Sequence, residues 1–249
     1  MGIISIIVCY RPLLLIPGLI GFDVKLEVDL RFFKRYIIYW HRTNDRKFPW
    51  RRSRVTQYQK IIAELLLQRT KAETVASFYP RFINRFPNWK TLAAASEHEI
   101  QEIIKPIGLW KRRSTSLKKL AIVMHERNGR FPKIREDIDK LPGVGQYIAN
   151  SIELLCHKKA MPLLDVNMAR VLERFFGPRK LADIRYDPYL QELAYKVVET
   201  KEPIKMNWAI LDFAALVCKS RKPLCSDCPI ASHCKYYIQN MRIKGVGDK

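Results

Sequence analysis

Leu141-Pro142-Gly143-Val144-Gly145-Gln146-Tyr147 interrupts an otherwise helical pattern at one sharp point. Residues 137–141 lead into it, and apolar residues at helical spacing follow from Gln146 to Cys156, so the seven residues read as a tight turn between two helices. Gly143 and Gly145 permit positive φ and, having no side chain, let a ligand approach the backbone closely. The second helix starts at the turn. Its unpaired N–H groups and positive dipole end therefore face outward, which suits one anionic phosphate. A PGVG turn alone is equally a plain helix–helix connection.

Helical spacing continues in both directions from this turn, and no segment after residue 27 alternates as a strand would. Upstream, Leu30, Phe33, Ile37 and Trp40 form one stripe, and a helix is expected over 58–70 with Ile61, Ile62, Leu65 and Leu66 inward. Val75, Phe78, Tyr79 and Phe82 extend the pattern to Pro87. Ser96 and Glu99 form a capping box, and Leu117, Leu120 and Met124 stripe a helix that stops at Asn128-Gly129. Downstream, helices are expected over 166–176, 189–200 and 206–218. Asp165 stands directly before the first of these, where it reads as an N-cap, a role compatible with chemistry. The fold class is all-α.

The charge balance narrows the partner. In 249 residues, 45 Lys and Arg oppose 24 Asp and Glu, a formal net charge of +21. Such an excess stores self-repulsion that a polyanion relieves, and nucleic acid is the leading candidate. Cysteine usage adds a cofactor. Of six cysteines, four are gathered as Cys218-x6-Cys225-x2-Cys228-x5-Cys234, while Cys9 and Cys156 sit in apolar surroundings and read as inert. Four thiolates at short spacings can surround a cubane iron–sulfur cluster. Zinc stays open as the alternative, although only one CxxC is present. Lys219, Arg221 and Lys222 form a basic loop inside the cysteine frame. Residues 1–27 form an apolar extension. Arg11, Pro12 and Pro17 interrupt it, which favours a packing segment or an unused upstream start over a membrane anchor.

Together these pieces resemble the endonuclease III branch of the helix-hairpin-helix DNA glycosylases. LPGVGQY matches the hairpin, LLDVNMARV the segment with the catalytic aspartate, and the four cysteines the cluster loop. FPWR at 48–51 and ELLLQRT at 64–70 look like the mismatch enzymes of that branch. The resemblance implies a two-lobed fold: a six-helix domain at 49–160, and a [4Fe-4S] domain built from 28–48 and 161–240. It also implies that double-stranded DNA carrying a mismatched base passes between the lobes and that the base is flipped out.

The same resemblance assigns roles. Asp165, Tyr147 and Glu64 form the catalytic group, with Asn167 in support; Gln68, Arg69 and Leu109 wedge into the duplex. Gly143, Gly145, Gln146, Lys219, Arg221 and Lys222 contact phosphates. For Glu64 a plainer reading exists, because Lys60, Glu64, Gln68 and Lys71 could form a solvated stripe. Strand-cleaving members carry a lysine where this chain has Tyr147, whereas archaeal thymine-DNA glycosylases carry tyrosine. The implied activity is monofunctional removal of thymine or uracil opposite guanine. Adenine excision at A·G or A·oxidised-guanine pairs is the alternative, and a non-catalytic iron–sulfur DNA-binding protein is the alternative of another class. A strand-cleaving enzyme using Lys118 or Lys119 is a further rival. The chain departs from the usual Asp-Pro-Tyr before the wedge helix with Thr56-Gln57-Tyr58, which puts that helix start in question. No membrane is expected; the protein is expected to act as a monomer on the nucleoid, in the cytoplasm of a prokaryote.

Overall fold

The structure, a computed structural model, describes residues 17–246 of the chain, with side chains described for 24–241. The expectations for residues 1–16, Cys9 among them, lie outside the described residues. The described residues contain no strand, and their α-helices are α1 (Pro17–Asn44), α2 (Gln57–Leu67), α3 (Ala72–Arg85), α4 (Trp89–Ala94), α5 (Glu97–Ile104), α6 (Trp110–Glu126), α7 (Arg135–Asp139), α8 (Gln146–His157), α9 (Val166–Phe176), α10 (Pro188–Val198), α11 (Pro203–Leu216) and α12 (Lys235–Val246). None of the described helices is long and apolar enough to cross a membrane. α1 runs unbroken through residue 27.

Two hydrophobic cores organise these helices. The first gathers Phe48, Trp50, Ile61, Phe82, Ile104, Leu120 and Ile152 with the other inward residues of α2 to α8. The second gathers Phe33 and Ile37 of α1 with Phe175, Val197, Ile210 and Phe213 from α9, α10 and α11. Each fully buried aliphatic or phenyl side chain contributes about 1.5–3 kcal/mol by leaving water. The chain passes from one core to the other between two consecutive residues: Leu163 is buried in the first and Leu164 in the second. Two buried asparagines pin this crossing segment. Asn150 donates to the carbonyl of Pro162 at 2.9 Å, and Asn207 accepts from the N–H of Leu163 at 2.6 Å while donating to Met161 O at 3.1 Å. The next residue is Asp165.

Local sequence signals account for the helix ends. Thr56 accepts from Gln59 N–H at 3.2 Å and Gln59 Oε1 accepts from Thr56 N–H at 2.9 Å, so the unusual Thr56-Gln57-Tyr58 start carries a full capping box. α2 stops at Leu67, three residues short of the expected end, because Gln68 leaves helical geometry (ψ 116°) and Arg69 turns left-handed (φ 54°). α7 and α8 are tied by Arg135, whose Nη1 donates at 2.9 Å to both Asn150 Oδ1 and Glu153 Oε2. That link fixes the angle of the hairpin between them.

Candidate active site

The hairpin differs from expectation in one detail. Gly143 has φ +73°, and an added Cβ would come within 3.2 Å of Ser116 Cβ, so any side chain there would be strained. Gly145 has φ −101° and ψ −178°, an extended conformation that any residue adopts, so it does not use positive φ. It is the N-cap of α8, and a Cβ built on it meets nothing within 4 Å. Its freedom is open space beside the backbone. Gln146 Nε2 donates at 3.1 Å to Gln191 Oε1 on α10, so its side chain is engaged within the protein and its backbone N–H is the group left for an anion.

Tyr147, at the second position of α8, projects its hydroxyl across to α2 and donates to Glu64 Oε2 at 2.9 Å. Glu64 is 5% exposed, so the solvated-stripe reading fails for it, although Gln68 and Lys71 do face water. Burial pushes the Glu64 carboxyl up to about 7; the Tyr147 hydrogen bond and the charge of Arg51 pull it down, and the charge of Asp165 pushes it up. Burial, then the charges of Glu64 and Asp165, hold the Tyr147 phenol well above its ordinary range. Glu64, Tyr147 and Asp165 thus act on one another within one site, although they come from α2, α8 and the crossing between the cores.

Asp165 is the N-cap of α9. Its Oδ1 accepts from the N–H groups of Asn167 at 2.9 Å and Met168 at 2.8 Å, and its Oδ2 accepts from Asn167 Nδ2 at 2.6 Å. The helix start orients this carboxylate before any ligand arrives. Behind it runs a chain of contacts that sequence reading did not find. Asn167 Oδ1 accepts from Arg170 Nη1 at 3.1 Å, and Arg170 Nε donates at 2.9 Å to the carbonyl of Cys218. One turn further along α9, Arg174 donates to the carbonyls of Lys219 at 2.7 Å and Ser220 at 2.9 Å. One helix therefore carries Asp165 at its start and grips the cysteine loop from its flank. An arginine at i+5 and another at i+9 from the aspartate were the available signal.

The expected wedge residues lie on two loops. Gln68 and Arg69 are exposed at the end of α2, and Leu109 is 63% exposed before α6. Arg69 and Leu109 both have positive φ, at 54° and 59°. A left-handed residue other than glycine costs about 1–2 kcal/mol, and such strain collects at functional sites. Arg113 ties the two loops. From α6 it donates to the carbonyls of Leu65 and Leu66 at 3.4 and 3.3 Å and to that of Gln68. The rival lysine reading meets a correction here: Lys118 Nζ donates to the carbonyls of Ala93, at 2.7 Å, and Ala95, closing the C-terminus of α4. Its amine is engaged inside the protein as a capping donor and is not a free nucleophile, whereas Lys119 faces water.

Cys218, Cys225, Cys228 and Cys234 are free thiols that all line one cavity between α9, α11 and α12, together with Phe175 and Ile230. Among the described residues no three Cys, His, Asp or Glu side chains close on a single point as one metal ion requires. Four thiols lining one largely apolar cavity are the donor set that would hold a [4Fe-4S] cluster, one thiolate to each iron. Lys219, Arg221 and Lys222 are exposed on the intervening loop. Cys156 is separate, and burial pushes its thiol up to about 12, consistent with an inert residue.

Comparison with known proteins agrees with this geometry. Residues 62–207 match the HhH-GPD superfamily of base excision DNA repair proteins, and residues 218–234 match the iron–sulfur binding domain of endonuclease III. The chain is 38% identical over 210 residues to the thymine-DNA glycosylase of Aeropyrum pernix, covering 82% of this chain and 93% of that protein. It is 37% identical over 222 residues to the thymine/uracil-DNA glycosylase of Pyrobaculum aerophilum, covering 87% and 96%. The solved structure of a thermostable thymine-DNA glycosylase superposes with a TM-score of 0.78 at 33% identity, over 86% of this chain and 98% of that one. The chain belongs to the HhH-GPD superfamily of base excision DNA repair proteins, in the endonuclease III branch that carries an iron–sulfur domain.

Proposed function

We propose that the protein is a monofunctional DNA glycosylase that flips thymine or uracil out of a mispair with guanine and hydrolyses its N-glycosidic bond. The observation that carries the reading is the hydrogen bond from Tyr147 to Glu64. The position at which strand-cleaving relatives hold an amine is filled by a phenol, itself bound to a buried carboxyl, so no Schiff base can form there. The likeness to thymine and thymine/uracil glycosylases favours this reading over adenine excision.

Asp165 faces the sugar as positive charge develops on it, and helps orient or deprotonate the attacking water. Its two oxygens are already fixed by Asn167 and Met168, so little reorganisation is needed during reaction. Glu64, whose carboxyl burial pushes up to about 7, gives the departing base a proton or a hydrogen bond. Gln68, Arg69 and Leu109 fill the space the base leaves. The hairpin at Gly143 and Gly145, with the N–H of Gln146, holds a phosphate, as do Lys219, Arg221 and Lys222. Cys218, Cys225, Cys228 and Cys234 would hold a [4Fe-4S] cluster, which would brace that basic loop. The protein works as a monomer on the nucleoid, in the cytoplasm of a prokaryote.

The test is single-turnover reaction with duplexes carrying G·T, G·U, A·G and A·oxidised-guanine pairs, with and without an alkaline step. Scission at G·T and G·U that appears only after alkali supports the reading. Scission confined to adenine pairs replaces it with the adenine alternative.

A further inference from the structure

The two loops that carry Gln68, Arg69 and Leu109 are reached by one residue, Arg113 of α6. α2 ends at Leu67, and as at any helix end its last carbonyls lack partners within the helix. Leu67 O accepts from Thr70 N–H at 3.0 Å. Arg113 takes the carbonyls on either side of it. Its Nη1 donates to Leu65 O at 3.4 Å and Leu66 O at 3.3 Å, and its Nη2 donates to Gln68 O and, at 3.4 Å, to Thr70 Oγ1. A guanidinium sets its donors in one rigid plane, so acceptors gathered on it fix the direction in which the chain leaves the helix.

The same residue holds the second loop by its main chain. Leu109 is the N-cap of α6 and has no capping side-chain hydrogen bond, and its carbonyl accepts from Arg113 N–H at 2.9 Å. Arg113 is half-buried, whereas Gln68, Arg69 and Leu109 are exposed. Each loop also contains a left-handed residue that is not glycine, Arg69 in one and Leu109 in the other. Such conformations persist only where the surroundings hold them. A single side chain joins the two strained segments across 45 positions of sequence.

We propose that Arg113 is a positioning residue for base flipping: with its side chain on the end of α2 and its main chain on Leu109, it keeps the two wedge loops at one spacing, so that they enter the duplex as a unit. The inference rests on the reading that Gln68, Arg69 and Leu109 enter the duplex as the base leaves. It adds a residue that need not touch any base, and it makes the action of one wedge depend on the other.

The experiment compares the wild type with Arg113→Met, Arg113→Lys, Leu109→Ala and the double variant Arg113→Met/Leu109→Ala. Stopped-flow fluorescence of 2-aminopurine placed beside the thymine of a G·T duplex reads flipping. Amide hydrogen exchange without DNA reads the loop itself, at the Thr70 N–H. Arg113→Met is expected to slow the fluorescence rise about tenfold, and Arg113→Lys, which keeps the charge but not the fork, to recover part of that loss. Affinity for an undamaged duplex should change less than about threefold, as suits a residue that makes no phosphate contact. The Thr70 amide should exchange about tenfold faster or more in Arg113→Met. The double variant should flip within about twofold of the slower single variant, because a wedge already out of register has little left to lose. A wild-type fluorescence rise or wild-type Thr70 exchange in folded Arg113→Met overturns the proposal, and so do losses that multiply in the double variant. If Arg113→Met does not fold, Arg113→Gln takes its place with the same expectations. A wild type that gives no fluorescence rise with any mispair refutes the glycosylase reading instead, and the Thr70 exchange still decides whether Arg113 holds the loop.

Discussion

The Tyr147 hydroxyl donates to Glu64 Oε2 at 2.9 Å, joining the first turn of α8 to the inner face of α2. Neither residue is next to the other's element in sequence; 83 positions separate them. Burial pushes the Glu64 carboxyl up to about 7, and this contact works against that shift. Its consequences for pH differ between stability and rate.

Folding raises the Glu64 carboxyl from its ordinary 4.5 to about 7. The native state therefore holds an extra proton between about pH 4.5 and 7, and its stability falls as pH climbs through that window. Above it the buried charge costs on the order of 3 kcal/mol. Glu64→Gln should melt several degrees higher than the wild type at pH 8, with little difference at pH 4.5 in differential scanning calorimetry. The same variant should lose about a hundredfold or more in single-turnover rate.

Asp165→Asn separates capping from chemistry. Asparagine is as good an N-cap as aspartate, so α9 should start normally and the melting temperature should change little. Binding to a G·T duplex, followed by fluorescence anisotropy, should stay within a few-fold of wild type. Base removal should fall by about a hundredfold or more, and turnover near the wild-type level would remove Asp165 from the reaction.

Leu109 is exposed and left-handed, so its conformation is maintained against a cost of about 1–2 kcal/mol. Leu109→Gly should be more stable than Leu109→Ala by about 1 kcal/mol in urea denaturation. Both should excise thymine from a duplex more slowly than wild type. On a single-stranded target, where no stacked partner has to be displaced, the difference should largely vanish.

Arg170 joins the carbonyl of Cys218 to Asn167, and Asn167 in turn holds Asp165. Arg170→Met should loosen both ends. The visible absorbance of the cluster should bleach faster in chelator, and the excision rate should fall about tenfold while the affinity for an undamaged duplex changes less. Normal cluster lifetime with normal rate would show that α9 aligns Asp165 without this arginine.

Much of the architecture follows from local rules. Gly143 is legible because a turn that tight needs a left-handed residue, and Asp165 because an N-cap needs a short acceptor before an apolar helical stripe. The cysteine frame is legible because its spacing is short enough to be local chemistry. What sequence could not supply is whatever depends on two distant segments meeting. It left open whether Glu64 faced water or core, since a polar stripe along α2 looks the same either way, and packing against α8 decided it. It could say only that Gly145 permits a positive φ, which the helix start does not use, and it left Lys118 open as a rival nucleophile when α4 takes it. It gave no role to Arg51, Asp212 or Arg170, although two of them stand inside quoted motifs, because charged residues acquire meaning only from their burial and their partners. The sequence by itself determined the all-α pattern, the hairpin, the cap and the cluster spacing, since each is governed by neighbours a few residues apart. Only the tertiary structure decided the proton affinity of Glu64 and the Arg51–Asp212 clamp between the cores, since both are set by charges and solvent exclusion contributed from far along the chain.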